Sequence, residues 1–220
     1  MTIESYLDWN DISPKKIGDA TEEQRKASAI KDDAAYYIAY FESGLDDFIE
    51  CVDYSLNKEV FDAILGKASD FNDLFEPCCQ SGLLGCYMMS QLPKATYKGI
   101  DINRTVISRA RARALGNAVN PESFDVADLL RYNQQHEAVV GRYVVNGLNH
   151  SVRDDMIEAL AGISKNIILA QPVQASDRSI AVPLYERSFN RHGYSVDAVT
   201  MPIKSEATGS YVFVIKATKH

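Results

Sequence analysis

Apolar residues recur along this chain with two periods, and the switches between them divide it into short strands and amphipathic helices. The run from Phe71 to Glu76 predicts a strand that ends in an acid and turns at once into a helix. Tyr97–Asn103 predicts a second buried strand, again closing on an acid, Asp101. From Arg104 to Leu115, the residues Val106, Ile107, Ala110, Ala114 and Leu115 share one helical face, with Gly116 and Asn117 as the stop. Ser123–Leu130 reads as a third short strand carrying Asp128 near its end, and Arg142–His150 as a fourth strand running into a polar loop ahead of a helix over Asp154–Gly162. Lys165–Ala170 is a continuous apolar strand, Val182–His192 a helix stopped by Gly193, and Tyr194–Met201 with Tyr211–Thr218 form a closing antiparallel hairpin around the loop Lys204–Gly209. Ahead of all these lie helical patterns at Glu22–Glu42, Leu45–Tyr54 and Leu56–Leu65, the last two split near Ser55.

A strand, a tight turn and a helix in immediate succession present free backbone N–H groups to a ligand, and an acid about 25 residues further on can accept from both ribose hydroxyls. The turn reads Glu76-Pro77-Cys78-Cys79-Gln80-Ser81-Gly82. On these residues the chain resembles the class I S-adenosylmethionine-dependent methyltransferases, whose first motif is an acid, one residue and a Gly-x-Gly-x-Gly turn. Cys78 and Gln80 stand at the first two glycine positions and Gly82 keeps the third. Because glycine takes positive φ without steric cost, the two replacements are expected at negative φ.

The resemblance implies S-adenosylmethionine as cofactor. Glu76, Cys78, Gln80 and Gly82 would hold it at the turn, Asp101 and Ile102 after the second strand, Asp128 and Leu129 after the third, and Asn146 after the fourth. It also implies an α/β fold, a doubly wound, seven-stranded Rossmann-like sheet with an antiparallel last strand. Residues 70–220 would form the methyltransferase core and residues 1–69 an N-terminal helical lid that caps the substrate. Tyr37 and Tyr40, within the cluster Tyr36, Tyr37, Tyr40 and Phe41, either line the substrate pocket or are ordinary core aromatics at helical spacing.

Alignment of nucleophile, methyl carbon and sulfur provides much of the acceleration in methyl transfer, so a base near neutral pH is the main further need. His150 lies in the loop where this family faces its acceptor and is the candidate base; the alternative is a histidine capping the next helix. Asn146 and Asn149 either orient substrate or shape the turn. Asp154 and Asp155 at a helix start suit the helix dipole, so no metal is assigned.

Composition narrows the acceptor. At 220 residues the chain fits one large core, with 46% hydrophobic residues, and its net charge of −7 disfavours a nucleic acid, whose binding needs clustered Lys and Arg. The basic run Arg104–Arg113 reads as a solvated helix face. Met1-Thr2-Ile3-Glu4-Ser5 lacks the basic and apolar regions of a signal peptide, no apolar run is long enough for a membrane span, and a cytoplasmic location is expected. Cys51, Cys78, Cys79 and Cys86 show no C-x-x-C spacing and are expected to be reduced. The expected activity is O- or N-methylation of a small molecule, as in specialised metabolism, with the oligomeric state open. Two other readings stand beside it. A nicotinamide-dependent oxidoreductase fits Gln80-Ser81-Gly82-Leu83-Leu84-Gly85 as a reduced dinucleotide motif. A protein that keeps the fold without transferring a methyl group fits the lost glycines.

Overall fold

Apolar residues on both sides of one short strand place β1 (Asp73–Pro77) at the centre of the molecule: Leu74 packs into one helical layer and Phe75 into the other. The computed structural model describes residues 54–144, 150–174, 178–199, 203–204 and 210–219. Around β1 lie β2 (Thr96–Asp101), β3 (Phe124–Val126), β4 (Ala138–Arg142), β5 (Asn166–Gln174), β6 (Tyr194–Val199), the short β7 (Ile203–Lys204) and β8 (Ser210–Lys219). Their spatial order is β3-β2-β1-β4-β5-β8-β6, with β7 attached to β8. Strands β1 to β5 are parallel, whereas β8 runs antiparallel to both β5 and β6. The predicted closing pair is therefore present, but β8 is inserted between β5 and β6, which leaves only β6 at that edge.

Helices α1 (Tyr54–Ala68), α2 (Leu83–Gln91) and α3 (Arg104–Gly116) cover one face, and α4 (His150–Ile163) and α5 (Arg178–Arg191) the other. Alternate strand residues feed the two layers. Leu74, Val140, Ile168 and Val214 pack with Phe61, Leu83 and Ile107; Phe75, Val139, Leu169 and Ile215 pack with Ile157, Leu160 and Phe189. The α1 residues Val60, Phe61 and Ile64 are fully buried against the sheet. Tyr37, Tyr40 and the expected helix Glu22–Glu42 lie outside the described residues.

Three elements differ from expectation. The fourth strand is Ala138–Arg142, not Arg142–His150, because its pairing with β5 runs from Val139↔Ile167 to Arg142↔Ala170 and stops there. The next residue, Tyr143, turns to φ 62 while its N–H still reaches the Ala170 carbonyl at 2.8 Å. Arg142 thus closes the strand instead of opening it, and His150 is the first residue of α4. Strand β3 is confined to Phe124–Val126, since only these residues face Gly99–Asp101. The basic run on α3 is also more than a solvated face. Arg111 bonds the Phe124 carbonyl and Asp125, and Arg113 bonds the Ser81 carbonyl at 3.1 Å and its hydroxyl at 3.3 Å.

His136, in the loop ahead of β4, is tucked under the amino ends of the strands. Its Nδ1 lies 2.9 Å from Asp73 and its Nε2 2.8 Å from the Tyr132 hydroxyl, and both rings stack with Phe75. This cluster ties the start of β1 to the approach to β4, at the end of the sheet opposite the β1–α2 turn.

Candidate functional site

The order β2-β1-β4 reverses the direction of winding between β1 and β4, and in such sheets ligands bind in the crevice outside the carboxyl ends of the strands at that point. Parallel register brings Pro77, Asp101 and Arg142 to one edge, since Pro77 pairs with Ile100 and Arg142 pairs with Ala170 of β5. The residues between Pro77 and Gly82 form the floor of this crevice.

Backbone bonds hold that turn down. The Cys79 N–H donates to the Ile100 carbonyl at 2.9 Å, the Gln80 N–H to Asp101 Oδ2 at 3.2 Å, and the Gly82 N–H to the Cys79 carbonyl at 2.9 Å. To make these contacts the chain adopts left-handed conformations at alternate residues, with φ 52 at Cys78, 50 at Gln80 and 75 at Gly82. Cys78 and Gln80 therefore do not sit at the negative φ expected of glycine replacements. They keep the shape of a three-glycine turn without two of its glycines, because tertiary hydrogen bonds impose the backbone that side chains disfavour. At Gly82 a Cβ would lie 2.8 Å from the Ala110 Cβ and 2.9 Å from the Phe124 ring, so the surviving glycine is also needed for close packing of α2 on α3 and β3.

Glu76 is buried, and the Tyr97 hydroxyl donates to its Oε2. Tyr97 passes so near α2 that a Cβ at Gly85 would meet its hydroxyl oxygen at 2.5 Å, which gives Gly85 its reason. Asp101 is also buried, and its Oδ1 accepts from the Asn103 N–H at 2.9 Å. Burial pushes its carboxyl above the ordinary range, against the lowering effect of the Asn103, Gln80 and Ile102 N–H groups. The side chain after it, Ile102, is 69% exposed, an apolar surface beside the acid. Asp128 caps a short 3-10 turn at Leu129–Arg131, accepting from the Leu130 N–H at 3.0 Å, and Leu129 is buried beneath it.

Burial pushes the Cys78 thiol up to about 12, helped by the Asp101, Glu76 and Asp128 carboxylates, and the Cys79 thiol well above its usual value. Neither is a nucleophile at neutral pH. Among the described residues no group of three or more His, Cys, Asp or Glu is arranged to hold a metal ion, and no helix is long and apolar enough to cross a membrane.

The structure thus brings Glu76, Cys78 and Gln80 to one cleft, with Asp101 bonded to the Gln80 N–H, Gly82 closing the turn, Ile102 just after β2, and Asp128 and Leu129 after β3. Asn146 and Asn149 lie outside the described residues, and of His150 only the backbone position is described. Two residues that sequence patterning did not single out belong to the site. Arg113 braces Ser81 from α3, and Arg142 lines the same narrow cleft as Glu76, Cys78 and Gln80. Arg142 was legible only through the correct end of β4.

This combination of winding order, reversed last strand and acid-turn-acid crevice is the class I S-adenosylmethionine-dependent methyltransferase fold. An O-methyltransferase family protein from Burkholderia thailandensis superposes with a TM-score of 0.68 at 14% identity, over 95% of this chain and 74% of that one. Magnesium protoporphyrin IX methyltransferase from Synechocystis, with S-adenosylmethionine bound, gives 0.60 at 14% identity over 95% and 98% of the two chains. Ribosomal protein L11 methylase from Lactobacillus delbrueckii gives 0.56 at 14% identity over 73% and 77%. The sequence matches no protein-family model and no curated protein.

Left-handed backbone costs a residue with a side chain roughly 1–2 kcal/mol, whereas added glycine flexibility costs about 0.5–1 kcal/mol. Cys78→Gly and Gln80→Gly are each expected to raise stability, by about 0.5–1 kcal/mol, in urea denaturation. A loss of stability in both variants would show that the turn carries no strain.

Proposed function

We propose that this protein is an S-adenosylmethionine-dependent methyltransferase acting at oxygen or nitrogen of a small-molecule acceptor. The observation that carries the reading is the turn with left-handed residues at 78, 80 and 82, held between the buried acid Glu76 and the buried acid Asp101. The turn links the two acids, since its Gln80 N–H donates to Asp101 while Glu76, Cys78 and Gln80 line one narrow cleft.

The donor set suits the proposed cofactor. Asp101 would accept from the ribose hydroxyls, Ile102 would offer its exposed apolar side chain to the adenine, and Asp128 with Leu129 would meet the ring edge. Glu76 and the turn residues Cys78, Gln80 and Gly82 would hold the other end. When bound, the cofactor would supply a methyl group on a sulfonium, an electrophile that needs no metal for activation. The protein's part is then to align an acceptor and remove its proton.

For that proton we assign His150. As the first residue of α4 it stands at the carboxyl edge of the sheet, just beyond β4. Asn146 and Asn149 in the preceding segment, and Tyr37 and Tyr40 in an N-terminal cap formed by residues 1–69, are proposed to position the acceptor. The net charge of −7 favours a small acceptor over a nucleic acid. The L11 methylase similarity makes a protein acceptor the competing reading, which a panel of small phenols and amines against peptides would separate. A cytoplasmic location and a role in specialised metabolism belong to the same proposal.

S-adenosylhomocysteine is expected to raise the melting temperature and NAD to leave it unchanged, because only a ligand of the folded state stabilises it. The reverse pattern would convert the reading to an oxidoreductase. Ribose hydroxyls donate best to an ionised carboxylate, so binding favours the deprotonated Asp101, whose carboxyl in the free protein lies above the ordinary range. Affinity for S-adenosylhomocysteine should therefore fall on acidification, beginning at a higher pH than for an ordinary aspartate, and calorimetry of Asp101→Asn should show weaker binding without that dependence. With an acceptor in hand, His150→Gln should lower the transfer rate by about 10²–10⁴ while cofactor affinity changes only a few-fold. A wild-type rate in that variant would remove His150 as the base.

A further inference from the structure

At the amino ends of β2 and β3, at the end of the sheet opposite the β1–α2 turn, lies a cavity of about 520 Å³. Volumes of this order hold small organic ligands, usually between apolar walls that carry a few polar groups. Met89 and Pro93 form one wall at the end of α2, Val119 another just after α3, and Thr96 and Tyr97 the base at the start of β2. The wall after α3 is fixed by its own backbone. Ala118 stands there at φ 56, held by its N–H on the Leu115 carbonyl at 3.3 Å and by the Val119 N–H on the Ala114 carbonyl at 2.9 Å. Glycine is the usual residue at such a helix end, and here an alanine lines the cavity instead.

The charge of the cavity has one sign. Glu122, an exposed carboxylate, is its one acid, and no Lys, Arg or His belongs to the lining. Lys98 bonds the Glu122 carbonyl at 3.4 Å, but its ammonium is matched by the Asp125 carboxylate. Both α2 and α3 end beside the cavity, and the carboxyl ends of helices carry partial negative charge. A cation is therefore favoured there and an anion opposed.

Tyr97 joins this cavity to the crevice at the other end of the strands. It lines the cavity, while its hydroxyl donates to Glu76 Oε2, and Glu76 lines the narrow cleft beside Cys78 and Gln80. The side chain is confined on the way. A Cβ at Gly85 would meet its hydroxyl oxygen at 2.5 Å, and its ring centroid lies 5.8 Å from that of Phe124. Close-packed interiors pass displacement on from one group to the next, so a ligand resting on Tyr97 acts on the group that orients Glu76.

We propose that this cavity is a second ligand site, taking a small organic ammonium with an apolar body, and that its occupancy is transmitted through Tyr97 to the crevice. The site itself stands on the cavity and its charge; only the transmission rests on the cofactor reading above.

Methyl NMR of the methionines tests the site, with tryptamine as the cationic probe, tryptophol as its neutral counterpart and indole-3-acetate as the anion. Tryptamine is expected to shift the Met89 resonance, assigned through Met89→Leu, and to bind about three- to fivefold more tightly than tryptophol, the range for an exposed ion pair. Indole-3-acetate should bind more weakly than either, and Glu122→Gln should remove the preference for tryptamine. An unmoved Met89 resonance, or a preference that survives Glu122→Gln, overturns the site. Calorimetry then tests the transmission. Saturating tryptamine should tighten S-adenosylhomocysteine binding by about five- to tenfold, and S-adenosylhomocysteine should tighten tryptamine binding by the same factor, as linkage requires. Tyr97→Phe keeps the ring but not the hydroxyl, so it should still shift Met89 with tryptamine while the two ligands become independent. If Tyr97→Phe does not fold, the wild-type titrations decide. Independent binding in the wild-type protein, or coupling that persists in Tyr97→Phe, overturns the transmission and leaves the site. Failure of S-adenosylhomocysteine to bind at all overturns the cofactor reading, while the Met89 shift still decides the site.

Discussion

Two hydrogen bonds donated by backbone N–H groups tie the β1–α2 turn to the end of β2, and the rest of the turn depends on them. The Cys79 N–H reaches the Ile100 carbonyl, and the Gln80 N–H reaches the Asp101 carboxylate. Each bond is worth about 1 kcal/mol net, more where the acceptor is charged. Together they hold the β1–α2 turn on the end of β2, directly ahead of Gly82, which caps α2. If the turn sprang back to negative φ, the Gln80 donor would leave Asp101, and a buried carboxylate would lose one of the N–H groups that make its charge tolerable.

The same constraint explains why the turn keeps its shape after losing two glycines. The cost of a left-handed residue is of the same order as the bonds that enforce it. Packing then adds what neither supplies alone. Gly82 sits against Ala110 and Phe124, and Arg113 grips Ser81 from α3, so the turn is clamped by α3 and β3 as well as β2. Strain of this kind persists only where the surroundings over-determine it. A turn selected purely for stability would have glycine at both positions, so the departure points to the side chains of Cys78 and Gln80 as part of the lining of this site.

The electrostatics of the crevice follow from burial more than from charge count. Glu76 and Asp101 are both nearly inaccessible. The energetic cost of their charges is met by donors already in place, Tyr97 for one and backbone N–H groups for the other. Preorganised donors and acceptors need no rearrangement when a ligand arrives, which is how a crevice of modest size can discriminate between polar groups.

Periodicity along the chain determined the alternation of strands and helices, the acids closing β1, β2 and the third strand region, and the reversed closing strand, because one-dimensional patterns of burial survive in any parallel sheet covered on both faces. It did not determine where β4 ends. Tyr143, Val144 and Val145 are as strand-like as Ala138, Val139 and Val140, and only the pairing of Arg142 with Ala170 decides which set is in the sheet. That displacement carried Arg142 into the cleft and His150 onto the first turn of α4. Nor did it determine the backbone of Cys78 and Gln80, whose local preference is for negative φ. Hydrogen bonds to residues more than twenty positions away reverse that preference, and the arginines of α3, apparently solvated by composition, are recruited to the turn and to β3 by neighbours that only the folded sheet supplies. Local sequence sets what each segment favours by itself; partners distant in the chain settled the conformation wherever their bonds outweighed that preference.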